Sequence, residues 1–191
     1  MRSNIIFFVL GWILLLTAAL FDVNFLDNKD PIPFDQWKTI TFYDFKGLKK
    51  PGNTLDGVAE FAYIKTSRKI NYTGRDARIT AYFYPSRSYV FDQQIRNPDL
   101  LRHELYHFFI TEYFTRLLRK EIKTYDGKIT RSFIAELNKE YYRLENEMQD
   151  QYDEETYHSY VMKAQQKWET FLDNSLSLLA GFADPDVSLK K

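Results

Sequence analysis

His103-Glu104-Leu105-Tyr106-His107 is the stretch of this sequence best equipped for chemistry. At about 100° per residue on a helix, two histidines four apart lie only about 40° round from each other. Both imidazoles then point the same way and can grip one ion, while Glu104, about 100° round, reaches a water on that ion without being a ligand. Zinc held in this way lowers the pKa of its water, and the carboxylate takes the proton as general base. A lone histidine on an apolar stripe is ordinarily a core residue with one hydrogen-bond partner. Two imidazoles and a carboxylate buried together would be costly without a shared partner. The pattern therefore reads as a zinc-dependent hydrolase site.

A catalytic zinc keeps three protein ligands and one open position. The residues after His107, "FFITEYFTRLLRK", contain no glycine to break the helix, and Glu112 projects about 180° from His103, so the third ligand must come from another helix. The chain has 3 histidines and no cysteine. That leaves His158, in "QYDEETYHSYVMKAQQKW", as the nitrogen donor, with Glu154 one turn earlier as an oxygen donor in its place. Projected as one helix, Glu154, Met162, Gln165 and Leu172 share the side of His158 within about 40°. Asp153 caps that helix, holds a ligand imidazole by its second nitrogen, or is itself an alternative ligand. Tyr106, Tyr152 and Tyr157 are close enough in sequence to polarise a substrate carbonyl, though each is equally an ordinary packing tyrosine.

The motif needs a rigid helix. Asn97-Pro98-Asp99 is a good start for one, and no Gly or Pro interrupts the chain before about Ile122. Ile110, Phe114, Leu117 and Leu118 share the side of His103 and face the core. Leu105, Glu112, Arg116 and Arg119 form a mostly polar far side. After a turn at 124–128, Phe133, Leu137, Tyr141, Leu144 and Met148 mark a second helix from near Thr130. A third helical piece from about Asp153 to Leu179 either continues it or breaks near 149–153, and Gly181 and Pro185 close the region. Upstream, 38–45, 59–72 and 77–90 have strand character, the last interrupted by Pro85. The 77–90 strand is expected at a sheet edge, where an extended peptide can add. Strands followed by helices make the fold class α+β, a small antiparallel sheet ahead of the motif helix and one or two further long helices.

Lys plus Arg and Asp plus Glu are each 26, so the formal net charge is zero, and no basic patch is interleaved with stacking aromatics. Nucleic acid is excluded as a partner on those grounds. Without cysteine there is no disulfide framework, thiolate metal site or thiol nucleophile. Residues 5–21 are uncharged and follow Arg2. As a helix they reach about 25 Å, the short limit for a bilayer span. They read as a signal anchor or, with Thr17-Ala18-Ala19 as cleavage site, a signal peptide, and either places the remainder outside the cytoplasm. The expected organisation is a membrane segment at 1–21, a linker at 22–36, a catalytic domain at 37–183 and a tail at 184–191.

Four stretches resemble one family. "ITFYDFKG" is similar to an L-T-W-x-D-F-x-G opening, and "AYFYPSRSYV" to a strand ending in a Ser-Trp pair. "LLRHELYHFFITEYFTRLLRKEI" is similar to L-x-H-E-x-x-H-F-x-I-x-E-x-x-A-R-x-L, and "QYDEETYHSYVMKAQQKW" to Q-Y-D-x-E-T-x-H-G followed by Gln and Trp. Together they resemble the bacterial "domain of unknown function 922" proteins, regarded as zincin-like zinc peptidases, from about Ile40 to Trp168. Ser159 stands where Gly is usual, and Tyr89 and Phe42 where Trp is usual. The resemblance implies a zincin-like fold and strengthens His158 as third ligand beside His103 and His107, because Tyr152, Asp153, Thr156 and His158 all match. The expected function is a zinc metallopeptidase of the cell envelope acting on a peptide or protein substrate. Two alternatives are a non-catalytic envelope protein that keeps the fold for partner binding, and a zinc hydrolase of a non-peptide envelope substrate.

Overall fold

A computed structural model describes residues 31–48, 62–91 and 97–189. The expected membrane segment and most of the expected linker lie outside them. Among the described residues, no helix is long and apolar enough to cross a membrane. In chain order the elements are β1 (Ile32–Pro33), β2 (Ala62–Tyr63), β3 (Thr66–Tyr72), β4 (Asp76–Phe83), β5 (Tyr89–Val90), α1 (Pro98–Thr124), α2 (Arg131–Thr156), α3 (Met162–Leu178) and β6 (Asp186–Ser188). The molecule is α+β, with a small antiparallel sheet and three long helices among the described residues.

The alternation Ala77, Ile79, Ala81, Phe83 places four buried side chains on one face of β4. β3 pairs with β4 from Thr66↔Phe83 to Tyr72↔Ala77. On the opposite edge of β4, β1 pairs at Tyr82 and Phe83, and β6 at Asp76, Ala77 and Arg78. β4 is therefore central. The expectation that 77–90 supplies the sheet edge is corrected, because short strands from the expected linker and tail cover that side. Pro85 does end the strand, opening a 3-10 turn over Pro85–Arg87 before β5 pairs with β2.

The segment 38–45 is not a strand but two 3-10 turns, Phe34–Thr39 and Phe42–Asp44. Thr41 and Asp44 form a capping box, so local side-chain bonds outcompete a ladder, while Phe42 and Phe45 enter the core. The loop then meets the end of β4 tightly. Gly47 N donates to Ser88 O at 2.7 Å, and a Cβ on Gly47 would lie 2.9 Å from that oxygen. The first two resemblance stretches thus pack against each other, which accounts for the glycine.

α1 starts as its sequence indicates: the Asn97 side chain accepts from Asp99 N at 3.0 Å and Pro98 opens the helix. The helix packs against the sheet, α2 and α3. Its polar far side is consequently buried rather than solvated. Arg119 donates to Glu112 Oε1 at 3.0 Å, to Ile79 O at 2.6 and 2.9 Å, and to the carbonyls of Phe182 and Ala183 at 3.0 and 3.2 Å. Arg116 holds the same Glu112 oxygen at 2.9 Å. Ile79 faces the outer edge of β4, where its N–H meets Pro185 O, so Arg119 closes the gap between β1 and β6.

Of the two alternatives left open, continuity or a break near 149–153, neither holds as stated: α2 runs through 149–153 and ends at Thr156. Tyr157, His158 and Ser159 follow with φ of 46°, 51° and 80°. Left-handed backbone on three non-glycine residues stops the helix. His158 therefore lies in the turn between α2 and α3, and the helical projection that grouped it with Met162, Gln165 and Leu172 does not apply.

Candidate metal centre

His103 and His107 project from α1, one turn apart, toward α2. Their Nε2 atoms are 3.3 Å apart. Asp153 Oδ1 on α2 lies 3.1 Å from His103 Nε2 and 2.9 Å from His107 Nε2. Tetrahedral zinc with bonds of about 2.0–2.1 Å keeps its ligand atoms about 3.3 Å apart. The triangle of His103, His107 and Asp153 has nearly those edges, and these three form the possible metal-holding group among the described residues. Two imidazole nitrogens and one carboxylate oxygen are a donor set that suits zinc. The sequence placed His158 as third ligand and Asp153 beside it. The structure brings the carboxylate of Asp153, the alternative ligand, to the two motif histidines, and His158 Nδ1 lies 3.3 Å from the same oxygen. Glu154 is exposed on the far side of α2.

The imidazoles are aimed by two glutamines. His103 Nδ1 meets Gln165 Oε1 at 3.1 Å, and His107 Nδ1 meets Gln149 Oε1. Each amide nitrogen is already spent: Gln149 Nε2 donates to His107 O at 3.0 Å, and Gln165 Nε2 to Glu169 Oε1 at 3.0 Å. The amide oxygens therefore face the rings, each Nδ1 donates to one of them, and both Nε2 atoms turn toward Asp153 Oδ1. Sequence reading gave neither glutamine a role. Gln149 lies one turn before Asp153, and that spacing on a helix was the available signal.

Charge at the centre is strongly coupled. Burial pulls the His103 pKa down, against the opposing bond to Asp153. Burial also opposes the charged form of His107, but the Asp153 carboxylate more than reverses this and raises its pKa. Burial pushes Asp153 up, yet the charge of His107 and bonds from the three imidazoles hold it well below the usual carboxylate range. The carboxylate and the imidazoles thus stabilise each other's charge.

Glu104 is buried beside this cluster, and burial raises its pKa to about 7. Its Oε2 accepts from Ile64 N at 2.9 Å, tying α1 to the segment between β2 and β3. That segment and one face of α2 line a cavity of about 320 Å³, whose walls include Glu104, His107, Asp153, His158 and Gln149. Glu104, His107, Asp153 and open space thus coincide.

The three tyrosines singled out from the sequence do not enter the cavity. Tyr152 is buried and stacked on His103, centroids 4.7 Å apart, with its hydroxyl donating toward Gln165 Oε1 at 2.8 Å. Tyr106 donates to Asp173, and Tyr157 is exposed in the left-handed turn. Tyr63 and Tyr142 line the cavity instead. No family model, curated protein or solved structure matches the chain.

Proposed function

We propose that this chain is a zinc-dependent hydrolase with a zincin-like site, cleaving peptide bonds at the cell envelope. The observation that carries the reading is the convergence of three ligand atoms 2.9–3.3 Å apart on a cavity that also holds a buried glutamate. His103, His107 and Asp153 would hold the metal, with His158 braced against Asp153. Zinc bound there supplies a Lewis acid that polarises a carbonyl and acidifies a water. Glu104, with a pKa near 7, takes a proton from the attacking water at its carboxylate oxygen and delivers it to the leaving amine. The bond from Ile64 N fixes the other carboxylate oxygen, so the base enters the reaction already oriented. A purely structural metal site would have no use for such a base, which favours an enzyme over a non-catalytic binding protein.

Metal analysis of the full chain purified in detergent without chelators tests this reading. Near-stoichiometric zinc is expected in the wild type and in Glu104→Gln. His107→Ala and Asp153→Ala should lower zinc affinity by about 10³-fold, since each removes one of three bonds. His158→Ala should retain zinc, and loss there with retention in Asp153→Ala would return the third ligand to His158. A metal-free wild type would overturn the zinc reading. A quenched fluorescent peptide library should be cleaved by the wild type and not by Glu104→Gln; equal cleavage by both would remove Glu104 as base.

A further inference from the structure

A reaction at a carbonyl needs a donor for the negative charge that develops on oxygen. The motif helix supplies none: its first-turn N–H groups are taken by Asn97, and its side chains at the cavity are ligand and base. Any such donor must come from the other walls, the segment from Ala62 to Thr66 and the face of α2 with the turn that follows it. On the first of these, Tyr63 and Lys65 flank the Ile64 anchor of Glu104, and Tyr63 is the one whose ring is held by a stacked neighbour.

Tyr63 has features suited to the task. It immediately precedes Ile64, whose N–H fixes Glu104, so ring and base are referenced to one rigid stretch of chain. Its own backbone is held by pairing with Tyr89 in the β2–β5 ribbon, and the two rings stack with centroids 5.4 Å apart and planes at 29°. The buried Tyr89 is thus a fixed platform under a ring that is 40% exposed. Among the described residues, the Tyr63 hydroxyl makes no hydrogen bond, unlike those of Tyr106 and Tyr152. Burial first, then the neighbouring Tyr89, Glu104 and Tyr142, raise its pKa. It therefore remains a protonated donor through the neutral range, close enough to feel the charge of Glu104.

The geometry points to Tyr63 as a catalytic residue: its hydroxyl donates a hydrogen bond to the substrate carbonyl oxygen as the tetrahedral intermediate forms. This rests on the hydrolase reading above. As the water oxygen bonds to the carbonyl carbon, the π pair moves onto the carbonyl oxygen and Tyr63 stabilises it without giving up its proton. The proton lost by water goes to Glu104 and then to the nitrogen of the breaking C–N bond. The bond to Tyr63 strengthens only as charge develops, so it acts on kcat more than on KM.

Tyr63→Phe removes the hydroxyl and keeps the stacked ring. On the peptide library, kcat should fall by about 10²-fold with KM within about threefold, and Tyr157→Phe should be unchanged. A second readout does not depend on turnover. Calorimetry on zinc-loaded full chain should show Tyr63→Phe binding a phosphinic dipeptide, which carries tetrahedral oxygens, at least about tenfold more weakly. Acetohydroxamate, which ligates zinc without a tetrahedral centre, should bind both proteins equally. Equal affinity of both proteins for the phosphinic dipeptide, or an equal loss for both probes, would overturn the role of Tyr63 while leaving the zinc reading intact. A wild type that takes up no zinc would overturn both, and the metal analysis separates the two cases.

Discussion

Two buried charged clusters share α1 and behave oppositely. Around Arg119, a guanidinium meets the Glu112 carboxylate and the carbonyls of Ile79, Phe182 and Ala183. All three of its nitrogens find acceptors across α1, β4 and the chain leading to β6, while Glu112 Oε2 is left without a partner among the described residues. Around His103 and His107, the acceptors converge. The Nε2 atoms of both imidazoles lie within 3.1 Å of Asp153 Oδ1, and Glu104, His107 and Asp153 line one cavity. A cluster closed on itself serves the fold, whereas the second has the geometry of a possible metal-holding group. Burial alone does not tell them apart, since Arg119 and His103 are 2% and 1% exposed.

Variants can break or sharpen that contrast. The largest effect is expected from Arg119→Ala, which strands three carbonyls and leaves Glu112 with Arg116 alone. It should cost about 3–5 kcal/mol in chemical denaturation, with zinc content per folded molecule unchanged. Removing a charge from the open cluster should do the reverse in the metal-free protein. The Glu104 pKa of about 7 lies above its usual 4.5, so the native state keeps a proton that the unfolded chain has released between those values. Stability therefore falls as pH rises from about 4.5 to about 7, and the loss persists above that. Glu104→Gln should be more stable than the metal-free wild type by up to about 3 kcal/mol at pH 8, with the gap closing near pH 4. If both variants lose stability at pH 8, the contrast between the clusters fails.

Smaller effects test the aiming of the ligands. Gln149→Leu frees the His107 ring and should weaken zinc binding by about 10–100-fold in competition with a chelator, with the fold retained. Undiminished affinity would show that packing alone holds the imidazole. Ser159→Gly is the mildest change. At φ of 80° a side chain is strained, and glycine should stabilise the turn by about 1 kcal/mol in thermal melts without altering zinc affinity.

Much of this was legible from the residues. The helix start at Asn97, the uninterrupted α1, the antiparallel strands, and the shared direction of His103 and His107 follow from spacing and capping, which are local. What was misread depends on a local competitor in one case and on distant partners in the others. Thr41 and Asp44 lock a turn where the apolar spacing suggests a strand. The polar stripe of Glu112, Arg116 and Arg119 suggested an outer face, because only the tertiary structure supplies the carbonyls that satisfy Arg119. His158, favoured as third ligand because it is the only histidine outside the motif, does lie 3.3 Å from the Asp153 oxygen, and only its placement on a helix was misread. Its left-handed turn, which no periodicity reveals, leaves Asp153 at the end of a regular helix facing the motif. The glutamines escaped notice because an amide gains meaning only from the ring it touches.

The two short strands on the outer edge of β4 have a consequence for how the chain may be cut. β1 and β6 come from opposite ends of the described sequence, yet both lie along the same eight-residue strand. The ends to be joined, Ile32 opposite Phe83 and Ser188 opposite Asp76, are separated by roughly 23 Å at about 3.3 Å per residue. A domain trimmed to 37–183 would leave that edge unpaired at both ends and open to the strands of another molecule. Joined instead by a linker of about ten residues, the two ends would make a closed ring, and new termini could be opened in the turn at 125–130.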